Sequence, residues 1–318
     1  MTYFLIYNPT SKQGKSKKKW DKILRMFQKQ GADFDYRLTK KEEDATHLAS
    51  KAVEENWDVI VSVGGDGTIS EVITGLLKKE ELEARPKLGI LHVGTSPDFN
   101  RYHNIPTDIE NAVETIFNGN TKFVDIGKVI YLKNNIDIPL AMLPVHPDKK
   151  ISYFGSNVNI GLGPRIASKA NGRFRKFLGD FCGTLLATVI SLLKLKGFTL
   201  NTKVDGKVEN FVNIINLTVG KDPYLASGMR VFNQIKCDDG RFYVFNVEKT
   251  SLLKLLSNIP RIYWGDFLKY KGAHLKYCRE IEIKYNKEYP EIEFDGDANG
   301  FLPAKIELLP KKLEVIVP

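Results

Sequence analysis

Residues 64 to 68 read Gly-Gly-Asp-Gly-Thr and stand between two segments of different hydrophobic period. Glycines that end a strand let a ligand approach the backbone closely. Their amides, with the positive end of a following helix, make an anion site whose natural occupant is phosphate. Asp66 inside this turn does not suit phosphate alone, because a carboxylate repels it. A divalent cation reverses that penalty, so glycines and carboxylate together point to a metal-nucleotide such as ATP with Mg²⁺. The structural alternative is a turn that only reverses the chain, with Asp66 closing an Asx-turn.

The flanking segments specify what must position the turn. Val59, Ile60, Val61 and Val63 form a β-branched run, the pattern of a strand buried on both faces of a parallel sheet. Ile69, Val72, Ile73, Leu76 and Leu77 make one helical stripe, and Thr68 with Glu71 forms a capping box that puts the helix start at Thr68. The same alternation fills the first 120 or so residues: strand Tyr3 to Tyr7, helix 17–30, strand 33–37, helix 42–55, then the strand at 59, the helix at 68 and a strand Leu88 to Val93. Thr39 with Glu42 and Thr107 with Glu110 supply further capping boxes. The pattern predicts an open α/β sheet flanked by helices, with its ligand edge beyond the carboxyl ends of the strands. That edge carries Asn8, Pro9, Thr10, Ser11, Thr39, Gly64 to Thr68, Gly94 and Thr95.

From Phe123 onward, strands with short polar connections predict an antiparallel β domain. The expected domains are residues 1–122 and 123–318, the second interrupted by a helical segment near 173–196 and carrying a helix near 251–257. Phe174, Phe177, Leu178, Phe181, Leu185, Leu186, Val189 and Leu193 in the first helical segment either pack in a core or border an acyl-chain pocket.

Composition narrows the class. A chain of 318 residues, 42% hydrophobic and 27% charged, is ordinary for a globular protein of two domains. Its net charge of +9 favours anionic partners: nucleotide phosphates, nucleic acid or an acidic membrane surface. The basic residues lack the interleaved aromatics of a base-stacking platform, so nucleic acid is not expected. Lys12, Lys15, Lys17, Lys18 and Lys19 either meet nucleotide phosphates or anionic headgroups, or form a solvated helix start. Three cysteines without CxxC spacing fit a reduced cytoplasmic protein better than a disulfide framework or a zinc site. The first residues read as a strand rather than a signal peptide, and no apolar stretch is long enough to span a bilayer, so a cytoplasmic location with peripheral membrane association is expected. Gly14-Lys15-Ser16 imitates the end of a Walker A loop, but Pro9 stands where that loop needs its first glycine.

Tyr7 to Ser11 (YNPTS), Gly64 to Thr68 (GGDGT) with Glu71, Gly94 to Phe99 (GTSPDF) with Arg101, Asn157 to Gly163 (NVNIGLG), Ser227 to Val231 (SGMRV), Cys237 to Phe242 (CDDGRF) and Phe294 to Asp297 (FDGD) form an ordered series across nearly the whole chain. In that series the sequence resembles the diacylglycerol kinase catalytic-domain family, which includes bacterial lipid kinases and is related to sphingosine and ceramide kinases. GGDGT alone also resembles NAD kinases and 6-phosphofructokinases, so the series carries the specificity. The resemblance implies an NAD kinase/diacylglycerol kinase-like fold: a Rossmann-like nucleotide domain, a C-terminal antiparallel β-sandwich, and ATP between them. It implies that Asn8, Pro9, Thr10, Ser11, Lys12, Thr39, Gly64, Gly65, Asp66, Gly67, Thr68, Glu71 and Thr95 hold the nucleotide. Asp98 and Arg101 would touch substrate or metal, and Asp239, with the carbonyls of Lys236 and Arg241, would hold a structural Mg²⁺.

The implied reaction is an ATP- and Mg²⁺-dependent transfer of the γ-phosphate to a hydroxyl of a diacylglycerol-like lipid at the membrane surface. Such transfer asks the protein mainly to position groups, neutralise charge and accept the hydroxyl proton. The resemblance implies that Asp66 would handle the metal and that Asp295 or Asp297, at the family's Asp-Gly-Glu motif, would accept the proton. Departures from the family pattern are Asp297 at a usual Glu, Ser70 at a usual Asn, and Pro97 at the Asn of Asn-Asp-Phe-Ala-Arg. They fit a divergent substrate or weakened catalysis and leave a non-catalytic nucleotide or lipid sensor open, while the GGDGT likeness leaves open a soluble NAD-kinase-like phosphotransferase. The sequence is compatible with a homodimer and does not name the lipid.

Overall fold

The structure is a computed structural model that describes residues 1–11, 16–79, 85–169, 186, 190–191, 196–226, 229–231, 235–295 and 297–318. Lys12, Gly296 and nearly all of the helical segment expected at 173–196 lie outside the described residues. The chain divides into two compact units, Met1–Asp125 with Lys311–Pro318, and Ile126–Pro310.

The first unit is built on four parallel strands, β1 (Thr2–Tyr7), β2 (Asp33–Leu38), β3 (Val59–Gly64) and β4 (Lys87–His92), in the order β2-β1-β3-β4. β3 is buried along its whole length, as its β-branched run requires, whereas β2 is an edge strand and largely exposed. Helices α1 (Lys17–Lys29), α2 (Asp44–Glu54), α3 (Asp66–Leu77), α4 (Asp98–His103) and α5 (Ile109–Asn118) follow in chain order. Trp20, Ile23 and Phe27 of α1 and Ile109, Val113 and Ile116 of α5 share a core with Tyr3, Leu5, Tyr7, Val59, Val61 and Val63. α2 packs on α3 through small residues: Ala45, Ala49 and Ala52 are buried, and a Cβ on Gly75 would lie 2.4 Å from the Thr46 carbonyl oxygen.

Three helix starts differ from the capping boxes read in the sequence. α3 begins at Asp66 with Gly65 as its N-cap, not at Thr68 as the box with Glu71 would have it. The Glu71 oxygens instead accept the amides of Glu43 and Ala45, both at 3.1 Å, and so cap α2. α2 begins at Asp44, whose Oδ2 accepts the amides of Lys40 at 2.7 Å and Lys41 at 3.1 Å, while the amide of Thr39 is bound to the Tyr7 carbonyl. In α5 the cap is Asp108, one residue after the expected Thr107, accepting the amide of Asn111 at 3.1 Å.

The second unit is a β-sandwich. Its strands run from β5 (Asn120–Leu132), which leads out of the first unit, through β6 (Lys149–Phe154), β7 (Asn157–Gly161), β8 (Phe198–Val204) and β9 (Lys207–Gly220). They continue through β10 (Tyr224–Ala226), β11 (Met229–Arg230), β12 (Phe242–Glu248), β13 (Ala273–Cys278), β14 (Glu280–Ile283) and β15 (Glu291–Phe294) to β16 (Asp297–Val317). One antiparallel run orders β13-β12-β9-β7-β15-β16; β14 joins the middle of β16 to β8, which pairs with the first half of β9. β9 changes partner from β8 to β12 at a bulge around Asn213, whose φ of 51° supplies the bend by which one strand serves two layers. The layers enclose Phe154, Leu200, Leu217, Phe242, Val244, Ile281 and Leu302. α6 (Leu162–Lys169) follows β7, and α7 runs from Leu252 to Trp264, beyond the expected end at 257.

The last residues return to the first unit: Val315 of β16 pairs in parallel with Leu88 of β4, and the Lys311 amide donates to Asp125 Oδ1 at 2.9 Å. Among the described residues, no helix is long and apolar enough to cross a membrane.

Candidate active site

In the first unit the polar residues collect where the parallel strands end. β1 and β3 are neighbours although β2 intervenes in sequence, so the strand order reverses there, and in open α/β sheets ligands sit at the carboxyl ends of the strands at such a switch. Asn8 follows β1, and its Nδ2 donates to Thr68 Oγ1 at 3.0 Å, tying the first loop to the start of α3. Asn8 Oδ1 in turn accepts the amide and hydroxyl of Thr10, at 3.0 and 2.7 Å. Pro9 and Ser11 are half-buried in the same loop, and Thr39 is buried at the end of β2.

Backbone proximity explains the glycines. A Cβ on Gly64 would lie 2.3 Å from Thr68 Oγ1, and one on Gly94 would lie 2.5 Å from the Cα of Gly65. The loops after β3 and β4 therefore meet backbone to backbone. The first turn of α3, with Asp66, Gly67 and Thr68, presents amides that lack intrahelical acceptors. Thr95 is exposed beside this approach.

The Asp66 carboxylate reaches beyond its own loop. Its Oδ2 accepts the amide of Asp98 at 3.2 Å, and its Oδ1 lies 3.8 Å from Nε2 of buried His92. Asp98 takes the guanidinium of Arg101 on Oδ1 and the hydroxyl of Ser96 on Oδ2. Pro97 is the N-cap of α4, a position whose amide the helix does not use, and its carbonyl accepts the Arg101 amide at 2.9 Å. The acidic residues Asp66 and Asp98 thus stand together with Arg101 and His92. His92 escaped sequence reasoning because an isolated histidine in a strand carries no spacing signal. Glu71, expected at the nucleotide, is engaged on α2 as described above.

In the second unit, Asp295 follows Phe294, which is paired with Asp297. Asp295 has φ of 50°, the left-handed conformation that two-residue hairpin loops require and aspartate tolerates. Its amide donates to the Asn157 carbonyl at 3.2 Å and its Oδ1 accepts the Ser156 amide at 3.1 Å, so the carboxylate is held against the start of β7. The side chain of Asp297 lies outside the described part.

Beneath the hairpin lies a buried polar network without a sequence signature. Asn159 Nδ2 donates to Asn157 Oδ1 and to Glu293 Oε2, both at 2.7 Å. Asn159 Oδ1 accepts the Thr218 hydroxyl at 2.6 Å, and Asn157 Nδ2 donates to the Tyr224 carbonyl at 2.6 Å. Buried polar groups satisfied in this way specify one arrangement of β7, β9 and β15, the last of which leads into the Asp295 hairpin.

The Asp239 loop does not fit the structural Mg²⁺ expected there. Lys221 Nζ, on a side chain that is 1% exposed, donates to Asp239 Oδ1 at 2.7 Å and to the Arg241 carbonyl at 2.8 Å. Asp239 Oδ2 accepts Arg241 Nε at 3.0 Å. Burial acts to raise the Asp239 carboxyl, but the hydrogen bonds from Lys221 and Arg241 outweigh it and hold the group below the usual carboxylate range. Two of the three groups expected to ligate a metal are thus already bound by an ammonium, and the third residue, Lys236, is exposed on the same loop.

Comparison with known proteins matches residues 2–129 to the diacylglycerol kinase catalytic domain and residues 156–317 to the YegS C-terminal NAD kinase beta sandwich-like domain. A diacylglycerol kinase of Staphylococcus saprophyticus is 28% identical over 317 residues, covering 99% of this chain and 94% of the relative. One from Staphylococcus aureus is 29% identical over 320 residues, covering 99% and 91%. The crystal structure of a diacylglycerol kinase from Bacillus anthracis superposes with a TM-score of 0.73 at 25% identity, covering 100% of this chain and 97% of that one.

Proposed function

The chain belongs to the diacylglycerol kinase catalytic-domain family of lipid kinases, and on that premise we propose that it transfers the γ-phosphate of ATP, with Mg²⁺, to a hydroxyl of a diacylglycerol-like lipid. The observation that carries this reading is the approach of Gly65 and Gly94 at the head of α3, which bares the amides of Asp66, Gly67 and Thr68 at the switch between β1 and β3. The strand order β2-β1-β3-β4 supports reading this unit as a Rossmann-like nucleotide domain, with its ligand at the switch between β1 and β3.

When bound, ATP with Mg²⁺ supplies the phosphoryl group and the cation that neutralises its charge. The amides at the head of α3 hold the phosphates, and Asn8 keeps Thr68 in place behind them. Asp66, oriented by the Asp98 amide, holds the cation side of the nucleotide, and Arg101, anchored on Asp98, contacts substrate or metal. Asp295 or Asp297 accepts the proton of the attacking hydroxyl at its carboxylate, and the Ser156 amide keeps the Asp295 carboxylate in a single orientation. The lipid is met at the cytoplasmic membrane surface by peripheral contact.

Incubation with γ-labelled ATP and a panel of diacylglycerol, sphingosine, polyprenol, phosphatidylglycerol and NAD tests the reading. Label is expected in diacylglycerol. Label in NAD alone assigns a soluble phosphotransferase, and nucleotide binding with no labelled acceptor assigns a sensor; either result overturns the proposal.

A further inference from the structure

We propose that the ammonium of Lys221 is the resident cation of the Asp239 loop, standing where the family resemblance sets a structural Mg²⁺, so that the β-sandwich unit holds its Asp295 hairpin with no metal in that loop.

The geometry leaves little choice. A Mg²⁺ ion binds oxygen at about 2.1 Å, so on Asp239 Oδ1 and the Arg241 carbonyl it would press against Lys221 Nζ, which lies 2.7 and 2.8 Å from those atoms. Two cations cannot share those oxygens. The ammonium cannot withdraw cheaply either, because its side chain is 1% exposed and a buried charge without a partner is strongly unfavourable. Arg241 occupies the remaining carboxylate oxygen, and its guanidinium is itself packed over the Tyr277 ring, 3.9 Å from the centroid. The charge that a divalent ion would bring to Asp239 is already supplied by Lys221 and Arg241.

The same lysine connects the loop to the hairpin. Its backbone amide donates to the Ser156 carbonyl at 2.8 Å, and the Ser156 amide donates to Asp295 Oδ1 at 3.1 Å. The neighbouring Asp222 is fully buried, with Oδ1 on the Tyr224 amide and its carbonyl on the Tyr243 hydroxyl, both at 2.8 Å, which fixes the segment that carries Lys221. The ammonium pins the Asp239 loop to a backbone that also orients Asp295.

The inference stands apart from the kinase reading, because its test reads melting and scattering rather than activity. The full chain, free of nucleotide, is melted in EDTA and then with millimolar Mg²⁺, and crystals soaked in Mn²⁺ are measured for anomalous scattering. Wild type is expected to show no anomalous peak within about 3 Å of Asp239; a peak there, with Lys221 displaced, overturns the proposal. Lys221→Met, which keeps the bulk of the stem, is expected to melt about 10 °C below wild type in EDTA and to recover part of the loss in Mg²⁺. A variant as stable as wild type in EDTA overturns it as well, since the ammonium would then hold nothing. Should Lys221→Met fail to fold, the wild-type anomalous map decides alone.

Discussion

The carboxylate of Asp66 at the head of α3 accepts the backbone amide of Asp98 at the head of α4, at 3.2 Å. Two loops that follow different strands are thereby locked to one another through the residue assigned to the metal-nucleotide. Asp66→Asn keeps an oxygen for that amide but removes the charge. It is expected to melt within a few degrees of wild type while phosphoryl transfer to lipid falls by about 100-fold or more. Calorimetry and labelled-ATP turnover on the same preparation check both halves.

Glu71 separates a structural role from a nucleotide role. Its two oxygens satisfy amides at the start of α2, so Glu71→Ala should cost about 1–3 kcal/mol in urea denaturation, and Glu71→Gln, which retains one acceptor, less. If Glu71→Ala keeps wild-type stability and loses ATP affinity instead, the helix cap is not its main work.

Gly94→Ala places a methyl 2.5 Å from the Cα of Gly65, where only backbone can yield. The expected outcome is a loss of about 1–3 kcal/mol from overpacking, with a weaker affinity for nucleotide as the two loops part. Equilibrium unfolding and titration with a fluorescent ATP analogue measure the two effects.

Stability should also depend on pH through His103. Burial, with a smaller contribution from Lys122, pushes its pKa down to about 3 from 6.5. The unfolded chain therefore binds the proton that the folded chain refuses between those values. The stability is fully present above pH 6.5 and falls by about 1.4 kcal/mol per pH unit as pH drops towards 3. His103→Gln, which cannot titrate, should flatten that part of the profile in denaturant titrations from pH 7 to 4.

Much of the first unit was legible because local pattern and tertiary role coincide there. The buried β-branched run of Val59 to Val63, the glycine turn and the stripe of Ile69 to Leu77 are adjacent in the chain, so period and turn chemistry alone place the candidate phosphate loop at the end of β3. The ordered series of motifs carried the family for the same reason, each being a short contiguous segment.

What only the tertiary structure decided lies in contacts between residues far apart in sequence. The capping boxes misplaced three helix starts: Glu71 found amides 28 and 26 residues away, at the start of α2, and in α5 Asp108 rather than Thr107 took the cap. Asp295 is oriented by Ser156, 139 residues distant, and the Asp239 loop by Lys221, a lysine that sequence reasoning passes over among many. Charge and hydrogen bonding are satisfied by whichever group the fold brings within about 3 Å. The sequence by itself therefore determined the elements, the turn chemistry and the family, while the three-dimensional packing decided which carboxylate serves as cap, which faces a cation, and which side chain supplies that cation.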